Sequence, residues 1–201
     1  MDAKSDRRAE LLEKVVEALL ENGAVAMSLR PLAERVGTSA RLLIYHFGSK
    51  EALVGAALAE VRLHIGASLA ARAAVINPKS LRAMVMMFWD WATDTPNQRC
   101  FRLLFEVDGL AMYDQFSFSE AVRRANSAVW VTLIERAAGR LAEGGEQFSA
   151  NATLIVAALV GLLQEFLSTG DRERTTAALS ALVELISRDG APPAPDQGPR
   201  P

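Results

Sequence analysis

The chain has 201 residues, half of them hydrophobic and 23% charged, a balance that favours a folded protein over a disordered one. Its formal net charge of −2 excludes a polycation that coats nucleic acid, so any DNA function must come from a local patch. One cysteine, Cys100, with His46 and His64 as the two histidines, excludes a disulfide framework and a Cys-rich zinc site.

The opening MDAKSDRRAE lacks the apolar run of a secretory leader. The longest apolar-plus-Gly stretch, Leu154 to Leu163, is half of the roughly 20 residues a membrane span needs. A cytoplasmic protein without membrane attachment, metal or cofactor is expected.

No stretch alternates polar and apolar residues between turn signals, so no strand is expected. Helical stripes fill the chain. In the first segment Leu11, Leu12, Val15, Val16, Leu19 and Leu20 share one side of a helix that Asn22-Gly23 stops. Ser28 caps a short second helix that ends at Gly37. A third starts at Thr38-Ser39 and stops near Phe47-Gly48. Ser49 caps a fourth, from Lys50 to about Val75. Asn77-Pro78 starts a fifth, with Pro at the first helical position. Thr95-Pro96-Asn97-Gln98 reads as a capping box for a sixth, and Asp108-Gly109 as its kink or end. Ser117 to Glu120 opens a seventh, running to about Glu143. The eighth spans about Gln147 to Ser168. Asp171 caps a ninth that ends near Arg188. From Asp189 the composition predicts a disordered tail. The expected fold is all-α, with about nine helices.

The second and third helices are short and joined at Gly37-Thr38, a helix-turn-helix arrangement whose second helix enters a DNA major groove. Local charge agrees. Between Ser28 and Lys50, Arg30, Arg35, Arg41 and Lys50 stand against Glu34 alone, a net +3, while both flanks are net acidic.

The residues from Ser28 to Leu53 resemble the DNA-binding signature of the tetracycline-repressor (TetR) family. Leu32-Ala33, four residues before Gly37, then Tyr45-His46-Phe47, then Ser49-Lys50-Glu51 and Leu53, stand in order and at its spacing. The resemblance implies an N-terminal three-helix DNA-binding domain over 1–49 and a ligand-binding and dimerisation domain over 50–188, before a tail over 189–201. It implies DNA contacts at Ser28, Thr38, Ser39, Ala40, Arg41, Tyr45, His46 and Lys50. Phe47 reads as core. Many members have Gly at the place of Arg41 and an aromatic at that of Ile44. The operator sequence is therefore not carried over.

Eight of the thirteen aromatics lie between Phe88 and Phe118, with Met84, Met86, Met87 and Met112 in or beside the same stretch. Flexible Met and flat rings suit an adaptable apolar pocket. Its expected lining is Met87, Phe88, Trp89, Trp91, Phe101, Phe105, Met112, Tyr113, Phe116 and Trp130. An ordinary aromatic core is the alternative. Asp90, Glu106 or Asp108 could hold a cation there, or lie solvated.

The eighth helix is apolar almost all round and needs partners on more than one face. With the ninth it could form half of a twofold four-helix bundle, through Leu154, Ala158, Gly161, Leu162, Leu179, Leu182 and Ile186. Together these features predict a homodimeric transcriptional regulator, a repressor released from a palindromic DNA operator by a small apolar or aromatic ligand. The alternatives are an all-helical small-molecule-binding protein or enzyme, or an interaction protein, with a vestigial helix-turn-helix.

Overall fold

Short polar side chains start most of the helices. The computed structural model describes residues 3–24, 28–112 and 146–189. It contains α1 (Ala3–Asn22), α2 (Leu29–Arg35), α3 (Ala40–Phe47), α4 (Lys50–Ile76), α5 (Leu81–Ala92), α6 (Thr95–Met112), α7 (Glu146–Thr169) and α8 (Arg172–Asp189). The fold is all-α, as expected; the helix expected over Ser117–Glu143 and the tail from Gly190 lie outside the described residues. The hydroxyls of Ser39, Ser49 and Ser80 accept from the backbone N–H of Leu42, Ala52 and Ala83 at 3.1, 3.0 and 3.1 Å. Asp171 does the same for Arg174 at 3.0 Å. That N–H, helped by the Arg174 guanidinium, holds the Asp171 carboxyl below its usual range.

Three local expectations are corrected. Ser28 has the extended backbone of an N-cap, but its side chain makes no capping bond. Asn77-Pro78 does not open α5. Asn77 turns left-handed (φ 49°) to close α4, and Ser80 caps α5 three residues later. The capping box at Thr95 is not made either. Thr95 is already helical, the Asp94 carbonyl accepts from Asn97 and Gln98, and the Gln98 amide turns to the Thr93 carbonyl. Past Asp108-Gly109, α6 continues to Met112.

α4 is the hub. It packs on α1 and α3 at one end and on α5 and α6 further along, with Leu53, Val54, Ala57, Leu58, Val61, Ile65 and Leu69 buried. α4 and Ala152–Thr169 of α7 are long and apolar enough to cross a membrane by length and composition alone. In α4 the residues from Leu53 to Leu69 named above are packed inside the protein, while Leu63, Val75 and Ile76 are exposed.

α5 and α8 run antiparallel and pair along their lengths. Arg82 meets Glu184 at 3.2 Å, Ser180 Oγ donates to Met86 Sδ at 3.9 Å, and Trp89 Nε1 donates to Thr176 Oγ1 at 2.7 Å. At the far end Arg172 reaches Asp90 at 2.9 Å and the buried Thr93 hydroxyl at 3.1 Å. This pairing decides which face of α8 is internal. Leu179 and Ile186, expected on a seam between chains, are 0% and 9% exposed within this one. They belong to its core, on a helix that packs against both α5 and α7.

Candidate nucleic-acid interface

The helix-turn-helix is built on α1. Leu32, Ala33 and Val36 from α2 and its turn, and Leu43 and Phe47 from α3, are buried with Leu11, Val15 and Leu19 of α1 and Leu53 of α4. Gly37 takes φ 71° in the turn, where a side chain is strained. The Thr38 N–H then returns to the Ala33 carbonyl at 2.9 Å, which fixes the angle at which α3 departs.

With Leu43 and Phe47 facing inward, α3 presents Arg41, Ile44 and Tyr45 outward. Tyr45 is 64% exposed, so its ring is not core, whereas Phe47 is 8% exposed and is core. Ser28 and Ser39 are exposed, and Thr38, Ala40, His46 and Lys50 are half-buried. All eight expected DNA-facing residues thus lie between the start of α2 and the start of α4. Tyr45 and His46 meet edge-on, with ring centroids 5.2 Å apart. His46 Nδ1 is buried and has no hydrogen-bond partner among the described residues.

Not all of the local positive charge is equally available. Arg30 pairs with Glu34 at 3.4 Å and Arg35 with Glu21 at 3.9 Å. Among the described residues no carboxylate comes within 4.0 Å of Arg41. Sequence reasoning missed one neighbouring cation. Arg8 of α1 lies over the Phe47 ring, 4.8 Å from its centroid, a cation–π contact between segments far apart in sequence.

The aromatic stretch divides into two groups. Phe88, Trp91, Phe101 and Phe105 form a chain of rings between α5 and α6, with centroids 5.8–6.2 Å apart. Trp91 Nε1 donates to Ser68 of α4 at 3.0 Å. Phe88 and Phe105 are only half-buried, and Met112 is 79% exposed at the end of α6. Trp89 points the other way. It is 0% exposed and packs on Phe166 of α7 at 6.3 Å. Met87 is buried, and Tyr113, Phe116 and Trp130 lie outside the described residues.

The candidate cation holders are engaged elsewhere. Asp90 pairs with Arg172. Glu106 accepts the Ala24 N–H at 2.8 Å. Asp108 acts electrostatically on Arg62 of α4, whose pKa burial lowers and Asp108 raises. Cys100 is buried, which pushes its thiol above the usual range and disfavours the thiolate a nucleophile needs.

On α7 and α8 the outward apolar residues are Leu154 at 49%, Val160 at 37% and Leu185 at 60% exposed. Gly161 is exposed, with open space where a side chain would stand. Ala158, Leu162 and Leu182 are half-buried.

Residues 11–57 match the model of the tetR family of bacterial regulatory proteins. The chain is 32% identical over 110 residues to the HTH-type transcriptional activator FasR of Mycolicibacterium smegmatis, which covers 52% of this chain and 48% of that protein. It thus spans about half the length of that relative. The fold is similar to that of a transcriptional regulator from Rhodococcus sp. Rha1, with TM-score 0.72, 18% identity, and 92% and 99% of the two chains covered. It is also similar to the multidrug binding protein EbrR complexed with imidazole, with TM-score 0.62, 20% identity, and 88% and 89% covered. The matched segment contains the whole α2–turn–α3 unit just described, which is thus similar to the corresponding segment of the tetR family of bacterial regulatory proteins.

Proposed function

We propose that this protein is a DNA-binding transcriptional regulator that holds a palindromic operator as a homodimer and is released by a small apolar or aromatic ligand. The observation that carries the reading is the outward face of α3. Arg41, Ile44 and Tyr45 are exposed in the protomer, on the helix that the fold presents best to a major groove. Operator binding then weakens steeply with salt, because neutralised phosphates release counterions. Arg41→Ala lowers affinity by about 1–3 kcal/mol and relaxes selectivity if Arg41 reads a base edge. Lys50→Ala weakens binding to all sequences alike, as loss of a phosphate contact does. Gel shifts with the promoter DNA flanking the protein's own gene check both, and unchanged affinity in both variants removes this face from the interface. The sign of regulation follows from where the operator lies against the promoter. Action on chromosomal DNA also implies a cytoplasmic protein.

Dimerisation uses the outer faces of α7 and α8. Leu154, Ala157 and Gly161, with Ala178, Ala181 and Leu185, leave an exposed surface of small and aliphatic residues, which supports close helix approach in a twofold bundle. Gly161→Arg or Ala181→Arg buries an unpaired charge there, at a cost of several kcal/mol by roughly the scale of broken buried pairs. Sedimentation should show a folded monomer, since both positions are exposed in the protomer. A dimer that survives both substitutions moves the seam elsewhere.

We place the effector site beside the ring chain of Phe88, Trp91, Phe101 and Phe105, of which Phe88 and Phe105 are half-buried and could meet an apolar guest. Phe105→Ala, not Trp89→Ala, is the substitution that separates ligand response from folding. A ligand that lowers DNA affinity tenfold must itself bind about 1.4 kcal/mol more weakly to the DNA complex.

A further inference from the structure

Resting on the DNA-binding reading above, we infer that Ile44 is a specificity-determining residue that selects a thymine in each operator half-site through its 5-methyl group. Ile44 is 38% exposed. It is an aliphatic residue at an exposed position within the stretch from Ser28 to Lys50, where Arg30, Arg35, Arg41 and Lys50 stand against Glu34 alone. The core of this unit is complete without it: Leu43 and Phe47 of α3 already seal against α1 and α4.

Helix geometry sets what lies beside it. Ile44 is three residues from Arg41, about 60° round the helix on one side, while Tyr45 is about 40° round on the other. The side chains therefore stand in the order Ile44, Arg41, Tyr45 across the outward face. The half-buried Ala40 lies one turn before Ile44 and widens the apolar edge. In a major groove the base edges offer hydrogen-bond donors and acceptors and one apolar group, the thymine methyl. A branched aliphatic residue has no other group to recognise there, and beside an amino or keto edge it strips water without replacing a bond. Arg41 beside it suits guanine O6 and N7. The axial rise from Arg41 to Ile44 is about 4.5 Å, against roughly 3.4 Å per base along a strand. The thymine therefore lies one or two base pairs from the position that Arg41 reads.

The test uses the full-length protein and a random duplex pool. Selected duplexes should carry thymine in each half-site beside the position that Arg41→Ala relaxes. The best duplex is then remade with deoxyuridine at that thymine, which deletes only the methyl, and binding is read by fluorescence anisotropy at fixed salt. With both half-sites substituted, the wild-type protein should bind about tenfold more weakly, the scale of two buried methyl groups. Ile44→Ala, which alters an exposed position and keeps the helical circular dichroism, should bind the two duplexes alike. Equal wild-type affinity for the thymine and uracil duplexes overturns the inference while leaving DNA binding intact, as does full discrimination by Ile44→Ala. A wild-type protein that enriches no duplex at all overturns the DNA-binding reading itself.

Discussion

Trp89→Ala should lower the unfolding free energy by about 3–5 kcal/mol, the usual range for deleting a fully buried large ring. Trp89 is 0% exposed, stacks edge-on against Phe166 of α7, and donates to Thr176 of α8. One side chain thus ties three helices, and its removal leaves a cavity that none of them can close alone. Against a typical total of about 5–15 kcal/mol, the loss would leave much of the protein close to unfolding at physiological temperature. Urea denaturation followed by circular dichroism measures it. Trp89→Phe keeps most of the ring and loses the N–H, so it should cost far less, about 1 kcal/mol for the hydrogen bond plus a smaller packing term. A drop of less than 1 kcal/mol in Trp89→Ala would mean that this side of α5 is loosely filled. It would return Trp89 to the candidate ligand pocket.

The contrast between Trp89 and Trp91 shows what the sequence carried. Both read as large apolar residues in an aromatic-rich helix. The pattern predicts that each is buried, yet says nothing about the partner. The partner is set by α8, more than 80 residues downstream, whose Thr176 and Ser180 fall opposite Trp89 and Met86. The same limit explains Leu179 and Ile186. A helix with apolar residues on two sides can turn either toward its own chain, and the packing of α8 on α5 and α7 decides which. Local chemistry was far more legible. Ser39, Ser49 and Asp171 cap the helices assigned to them because an N-cap acts within three residues. The outward position of Tyr45 agrees with what the resemblance implies, and the inward one of Phe47 with its reading as core. Where two start signals compete at short range, local reasoning fails. Asn77-Pro78 lost to Ser80 because Asn77 was needed, left-handed, to end the 27-residue α4.

Gly23→Ala should destabilise the protein by about 2–3 kcal/mol, through strain in the left-handed region and a lost hydrogen bond. Gly23 ends α1 at φ 78°, and an added Cβ there would stand 2.7 Å from Glu106 Oε2 and 2.9 Å from Oε1. The carboxylate is the end of a flexible side chain and can swing away. It can do so only by releasing the N–H of Ala24, a residue 1% exposed, which it holds at 2.8 Å. That bond, with Arg99 to Glu17 at 2.8 Å, fastens α6 to α1 and the residues that follow it. Gly23 and Glu106 are therefore coupled, and a double-mutant cycle can measure it. Glu106→Ala alone leaves the Ala24 N–H without its carboxylate, at a cost of about 1–3 kcal/mol. In that background Gly23→Ala meets no carboxylate and should cost only the backbone strain, about 1–2 kcal/mol. The two losses then fall short of additive by roughly 0.5–3 kcal/mol, the range for groups in direct contact. Glu106→Gln keeps an acceptor oxygen for Ala24 and should stay closer to the wild type than Glu106→Ala. Strict additivity in urea denaturation would place the Glu106 carboxylate away from the end of α1.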